Sequence, residues 1–210
     1  MDGPVEPPLG GAVVLVGLMA SGKSTVGRKV ARLLGRRFVD ADVELEARTG
    51  RSVGQWFEAE GEAGFRAAET RLLADLLDED DPPVVGAGGG VVVTATNRER
   101  LGRDDVTVIY LHGDPQFLAT RVQAKPHRPL LQGDPVAVLE EMYATRDGWY
   151  RDVADAVVEV RPAHEAGEKP KWRLAESVVE ALVDLGVVDP ASVIDRPPRP
   201  GGTDIEEGPS

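Results

Sequence analysis

The chain has 210 residues, 41% of them hydrophobic, which is enough to bury one substantial core, so a single domain is expected. It has no cysteine, which excludes a disulfide framework and thiolate chemistry, and its three histidines, His112, His127 and His164, are too scattered for a histidine-based metal site. A formal net charge of −12 argues against general nucleic-acid or anionic-membrane binding, and no apolar run approaches a membrane span.

Residues 1–10, with three prolines and two glycines, read as a loose leader without a basic-then-apolar signal pattern. Ala12-Val13-Val14-Leu15-Val16 is a short apolar run of the kind that forms a buried parallel strand. Gly17-Leu18-Met19-Ala20-Ser21-Gly22-Lys23-Ser24 follows and reads G-x-x-x-x-G-K-S, the phosphate-binding loop pattern. A helix is expected over 25–34, with Val26, Val30, Leu33 and Leu34 on one face and Gly35 at the C-cap.

Strand, glycine loop and helix together make the motif chemically meaningful. Gly17 and Gly22 let the backbone curl so that successive N–H groups face one phosphate chain, and the helix N-terminus adds partial positive charge. Lys23 supplies a mobile full charge for the β/γ-phosphates, and the Ser24 hydroxyl can ligate Mg²⁺. A nucleoside triphosphate is the expected ligand. Arginine supplies 19 of the 24 basic side chains, and its fork suits carboxylate and phosphate.

Phe38-Val39 is expected as a second strand ending in Asp40-Ala41-Asp42. On an extended backbone both carboxylates point to one side, so one could support Mg²⁺ through water while the other meets an acceptor hydroxyl. An N-cap pair at a strand-to-helix turn is the alternative. Ser52-x-x-Gln55 is a capping box opening a short helix with Trp56 and Phe57, and a longer helix is expected over 61–77 with Phe65, Ala68, Leu72, Leu73 and Leu76 on one stripe. Arg66 flanks that stripe with Glu62 and Glu69 at helical spacings, which reads as a surface salt-bridge helix.

Residues 78–83 form a polar turn into a third strand, 84–87, which carries no acid where many phosphate-loop proteins place a metal-supporting Asp, leaving Asp40 as the nearest candidate. Gly88-Gly89-Gly90 permits backbone conformations closed to other residues and close approach of a ligand. Thr96-x-x-Glu99 is read as a capping box for a short helix, and 106–111 as the fourth strand. Asp114-Pro115 starts a helix through Phe117, Leu118 and Arg121; Asp134-Pro135 starts another running to about Asp152. Between them, about 122–134, an irregular segment containing Arg128-Pro129-Leu130-Leu131 has the character either of a lid bringing an arginine onto the γ-phosphate or of a surface loop, with His127 as a solvated residue within it.

The stripe Val136, Leu139, Tyr143, Arg146, Tyr150, Val153 puts an arginine in an inward series, where it needs an internal acid or a ligand carboxylate as partner. A fifth strand is expected over 156–160; the sequence loosens after Arg161, and Trp172, Ala175, Val179 and Leu182 mark a last helix. The acidic, Pro/Gly-rich stretch 187–210 is expected to be disordered, leaving 11–186 as the domain. Alternating strands and helices imply a five-stranded parallel sheet with helices on both faces, and ligands of such sheets gather at the strands' carboxyl ends.

Taken together, the segment 17–27, Asp40-Ala41-Asp42, Arg48-Thr49-Gly50-Arg51-Ser52, Gly61-Glu62 with Phe65-Arg66 and Glu69, Gly88-Gly89-Gly90, Arg128-Pro129-Leu130-Leu131, and Arg146 with Tyr150 resemble the shikimate kinase family over about 13–160. The resemblance implies a three-layer α/β/α fold of the P-loop nucleoside monophosphate kinase type. It implies ATP- and Mg²⁺-dependent phosphorylation of the shikimate 3-hydroxyl. On that basis Gly17 and the loop residues Met19, Ala20, Ser21, Gly22, Lys23, Ser24 and Thr25 would bind ATP, Arg121 would lie against the adenine, and Arg128 would reach the phosphates. Asp42 would meet the acceptor hydroxyl, and Arg66, Arg146 and the glycine triplet would hold shikimate. Ser24 and Asp40 would serve the metal. Ala20 stands where such loops often carry glycine, which is tolerable if its φ is negative. A cytoplasmic monomer is expected. A gluconate-type kinase, a nucleoside monophosphate kinase and a non-catalytic nucleotide-binding module are the competing readings.

Overall fold

A computed structural model of the chain describes residues 11–123, 134–167 and 169–195. Its centre is β1 (Ala12–Val16), buried at all five positions. A strand with a two-residue side-chain period and apolar residues at every position must be covered on both faces. Ala12, Val14 and Val16 join one core with Val85, Val108 and Tyr110; Val13 and Leu15 join the other with Val84, Ile109 and Leu111.

The remaining strands are β2 (Phe38–Asp40), β3 (Val84–Gly86), β4 (Val106–His112) and β5 (Ala156–Glu159), in the order β2-β3-β1-β4-β5 with every neighbour parallel. On one face lie α1 (Lys23–Leu33) and α8 (Pro170–Asp184), burying Val26, Val30, Leu174, Val178 and Leu182. On the other lie α3 (Val53–Leu77), α4 (Ala95–Leu101) and α6 (Pro135–Val153), burying Leu72, Leu76, Leu101, Leu139 and Tyr150. This is the three-layer arrangement expected from the alternation of elements. Since the chain leaves β1 toward β2 and β3 on one side and β4 and β5 on the other, its carboxyl end is the switch point where a crevice opens.

The Phe38 ring fixes how closely α1 approaches the sheet. A Cβ built on Gly27, in the middle of α1, would collide with that ring, and one built on Gly86 would stand 3.0 Å from its Cζ. Two glycines therefore make the slot that the ring fills.

Most boundaries fall where the sequence puts them, and the exceptions have local causes. Ser52 forms the expected capping box: its Oγ accepts from the Gln55 N–H at 3.3 Å and its own N–H donates to Gln55 Oε1 at 2.8 Å. Gly61, at φ 66° and ψ −175°, breaks α3 into the two helical pieces anticipated. By contrast, α4 starts from Thr94, so Thr96 is already inside the helix and the capping box read at Thr96 is absent. Asp114 and Asp134 cap α5 (Pro115–Gln123) and α6, accepting from the N–H groups of Phe117 at 2.8 Å and Val136 at 3.0 Å. Residues 122 and 123, assigned to the lid from sequence, belong to α5.

Two further expectations fail near the end of the chain. Val160 opens α7 (Val160–Glu165) instead of ending β5, so the stretch after Arg161 is helical. The segment 187–195 is not disordered: Val188 is buried, and the Ile194 N–H donates to Leu33 O at 2.8 Å. The leader 1–10, the segment 124–133 with His127 and Arg128-Pro129-Leu130-Leu131, and residues 196–210 lie outside the described residues.

Candidate active site

The phosphate loop joins β1 to α1. Gly22, the N-cap of α1, has φ +108°, a conformation that L side chains rarely adopt, and it aims the first N–H groups of the helix into the crevice. Ala20 does not meet the condition of a negative φ: it is left-handed at φ +64°. The Lys23 ammonium donates to Gly17 O at 2.7 Å and Leu18 O at 3.0 Å, which keeps it over the loop. Ser21 is fully buried, Met19 packs against the core, and Ser24 and Thr25 occupy the first turn of α1.

Asp40 and Asp42 do not share an extended strand. The chain turns into α2 (Ala41–Thr49) at once, with Asp40 as N-cap and Asp42 in the first turn, so the pleat argument for two parallel carboxylates does not hold. The separation of roles survives for another reason. Asp40 pairs in register with Gly86, and a Cβ on Gly86 would stand 3.7 Å from the Lys23 carbonyl carbon. Gly86 is thus the thin spacer between Asp40 and the start of α1, which explains why β3 carries no acid there. The Asp40 carboxylate makes no capping hydrogen bond to α2. Asp42, further on, reaches the glycine triplet.

None of Gly88, Gly89 or Gly90 has a positive φ, so dihedral freedom is not what the triplet supplies. It supplies room. A Cβ on Gly88 would stand 2.9 Å from Asp42 Oδ1 and 2.7 Å from Glu69 Oε1, and one on Gly90 would collide with the Arg66 guanidinium. A Cβ on Gly89 would sit 3.7 Å from both Gly17 O and Met19 N, so the triplet lies against the phosphate loop.

Arg66 donates to Glu69 Oε2 at 2.7 Å and to Glu62 Oε1 at 3.3 Å. The exposed salt-bridge reading of this helix is therefore only half right, because the Glu69 side chain is 6% exposed and that of Glu62 61%. Burial pushes the Glu69 carboxyl above its ordinary range, opposed by Arg66 and reinforced by Asp42. From α6, Arg146 donates to Gly89 O at 3.1 Å, and the Tyr150 hydroxyl donates to the same oxygen. Burial also raises the Tyr150 phenol, so it stays protonated and a donor.

Asp42, Arg66, Glu69, Gly88 to Gly90, Arg146 and Tyr150 thus form one polar group beside the loop. Glu69 and Tyr150 were not singled out as site residues from sequence. The signal was present: Glu69 falls at i+4 from Phe65 and three before Leu72, inside the apolar stripe.

Arg121, in the last turn of α5, reaches the loop from the far side. Its Nε donates to Ala20 O at 2.8 Å and Nη1 contacts His164 Nε2 on α7. Desolvation lowers its pKa. Among the described residues no cluster of three or more His, Cys, Asp or Glu could hold a metal, and no helix is long and apolar enough to cross a membrane.

Comparison with known proteins shows the family and the fold. A family model described as Shikimate kinase matches residues 19–184. The shikimate kinase of Halorhodospira halophila is 45% identical over 171 residues, 81% of this chain and 92% of that protein. That of Thiobacillus denitrificans is 47% identical over 154 residues, 73% of this chain and 83% of its own. A solved structure of shikimate kinase from Acinetobacter baumannii in complex with shikimate superposes with a TM-score of 0.74 at 36% identity, covering 84% of this chain and 94% of that one.

Proposed function

The chain belongs to the shikimate kinase family, and from that premise we propose that its site transfers the γ-phosphoryl group of ATP to the 3-hydroxyl of shikimate, giving shikimate 3-phosphate and ADP. The observation that supports this reading is the position of Gly89: a Cβ built on it would stand 3.7 Å from Gly17 O and Met19 N of the phosphate loop, and its carbonyl oxygen accepts from Arg146 at 3.1 Å.

In this reading Gly17, the segment Met19, Ala20, Ser21, Gly22, Lys23, Ser24 and Thr25, and Arg121 hold ATP. Lys23 exchanges its two loop carbonyls for phosphate oxygens when the nucleotide enters. Arg66 and Arg146 hold the acceptor's carboxylate, and Asp42 receives the proton of the attacking hydroxyl as its oxygen bonds to phosphorus and the β–γ bridging bond breaks. Arg128, from the segment expected to act as a lid, meets the charge on the phosphoryl group in flight. Such a reaction depends on positioning and charge stabilisation, which this set of groups supplies.

Ser24 and Asp40 fit a Mg²⁺ ion bound through few protein oxygens, with water and phosphate completing its shell. Bound there, the ion would neutralise β/γ-phosphate charge. The enzyme is proposed to act as a cytoplasmic monomer, with a kinase domain that runs from 11 through the packed segment 187–195. The test is ADP release with ATP and Mg²⁺ in the presence of shikimate, gluconate or no acceptor. Stimulation by shikimate alone is expected; turnover with gluconate alone would discard the pocket assignments, and nucleotide binding without turnover would favour a non-catalytic module.

A further inference from the structure

His164 sits on α7, the helix that the sequence did not announce, and it touches a residue of the phosphate side. Arg121 has two acceptors from two different elements: Ala20 O in the loop, 2.8 Å from Nε, and His164 Nε2 beside Nη1. A side chain at the end of α5 would otherwise be free to turn about several bonds. Held at two edges, its guanidinium plane has one orientation. Phe117 backs the assembly, its ring 5.6 Å from Arg121 Cζ and 5.8 Å from the His164 ring. A Cβ on Gly22 would stand 3.7 Å from Arg121 Nη2, so the guanidinium overhangs the loop itself.

We propose that His164 is a positioning residue of the nucleotide site: as a neutral imidazole it accepts from Arg121 and sets that guanidinium's plane for stacking on the base of ATP. The inference rests on the reading of Arg121 as the residue against the base. A guanidinium has no acceptor, so the contact requires an imidazole nitrogen carrying no proton. Protonated His164 would oppose N–H to N–H and cation to cation. Burial lowers its pKa, and the charged groups facing it, Arg121 from α5 and Lys171 from α8, both cationic, lower it further. On its own helix, Arg161 is tied to Glu165 at 2.6 Å and Asp114 at 3.4 Å. Around neutral pH the acceptor form therefore prevails, and it is lost as pH falls.

The test compares wild type, His164→Ala and His164→Gln by calorimetric titration with ATP, and by KM for ATP and for shikimate, at about pH 7.5 and about pH 5.5. His164→Ala is expected to weaken ATP binding roughly threefold to tenfold, the worth of one hydrogen bond, with the shikimate KM unmoved. Gln keeps a neutral acceptor, so His164→Gln should restore ATP binding to the wild-type level at about pH 7.5. Equal ATP affinity in wild type and His164→Ala would overturn the inference, as would a His164→Gln protein that binds ATP no better than His164→Ala. ATP binding that depends on His164 in a protein that phosphorylates no shikimate would uphold this inference and overturn the acceptor assignment instead.

Discussion

Arg66 and Glu69 form an ion pair in which the acid is the more deeply enclosed partner, with side chains 16% and 6% exposed and Nη1 2.7 Å from Oε2. The second Glu69 oxygen is buried without a hydrogen-bond partner and faces Asp42 across the space that Gly88 leaves. One buried carboxylate therefore orients the arginine assigned to the acceptor and adds negative charge beside the assigned base.

Removing that carboxylate should be expensive. Glu69→Ala leaves Arg66 with the exposed Glu62, and a loss of about 3 kcal/mol in unfolding free energy is expected, read from urea denaturation. A loss under about 1 kcal/mol would place the pair among solvent-screened surface bridges.

The same group gives a pH dependence whose sign can be worked out. Burial raises the Glu69 pKa above 4.5, so the folded protein takes up this proton before the unfolded chain does. Glu69's contribution to stability therefore grows as pH falls through the raised value and levels off below 4.5. Acceptor binding should move the other way, because a neutral Glu69 no longer holds Arg66 as an ion pair. As pH falls from neutrality toward 4.5 the shikimate KM should rise in wild type and stay flat in Glu69→Gln. Identical profiles would remove Glu69 from the titration.

Gly88→Ala would push a methyl group against both carboxylates. Displacing Asp42 by a fraction of an ångström should lower kcat with shikimate by roughly a hundredfold, while ATP affinity stays within about twofold. Near-normal kcat would mean that α2 and α3 can part to admit the methyl.

Asp42→Asn keeps the size of the side chain and removes its basicity. A fall in turnover of at least about a hundredfold is expected with ATP binding retained. Normal turnover would exclude Asp42 as proton acceptor.

Ala20 is held in the left-handed region, which disfavours an L-residue by roughly 1 kcal/mol, partly offset by the greater freedom of glycine when unfolded. Ala20→Gly should therefore stabilise the protein by roughly 0.5 kcal/mol, seen as a higher thermal midpoint. A destabilised variant would show that the alanine methyl makes contacts outweighing its backbone strain.

The fold was largely legible because its signals are local. Five apolar residues before a glycine loop, and Asp-Pro before each of two helices, need no tertiary information to be read. The site was less so. Asp40 and Asp42 read first as an extended pair, with an N-cap pair at a strand-to-helix turn as the alternative; Asp40 takes the N-cap position, though without a side-chain cap. Glu69 read as exposed because charge usually is, although its register in the stripe said otherwise. Of the two reasons read for the glycine triplet, backbone freedom and close approach, the first does not hold, and the room it leaves is filled by side chains from α2 and α3 that only the packing brings near. His164 was read as an isolated histidine because α7 depends on contacts with α5 and α8.

The slot that Phe38 occupies also bears on how this sequence can drift. A ring pressed on two glycines from different elements makes the permitted residue at each of the three positions conditional on the other two. Gly27→Ala alone is blocked, and Phe38→Leu alone leaves a void. Made together, the added methyl and the vacated volume offset each other, so the route between acceptable sequences runs through a double change. Since the ring spaces α1 from the strand that ends in Asp40, this epistasis ties the lineage's freedom in its core to the distance between its phosphate loop and the Asp40 carboxylate.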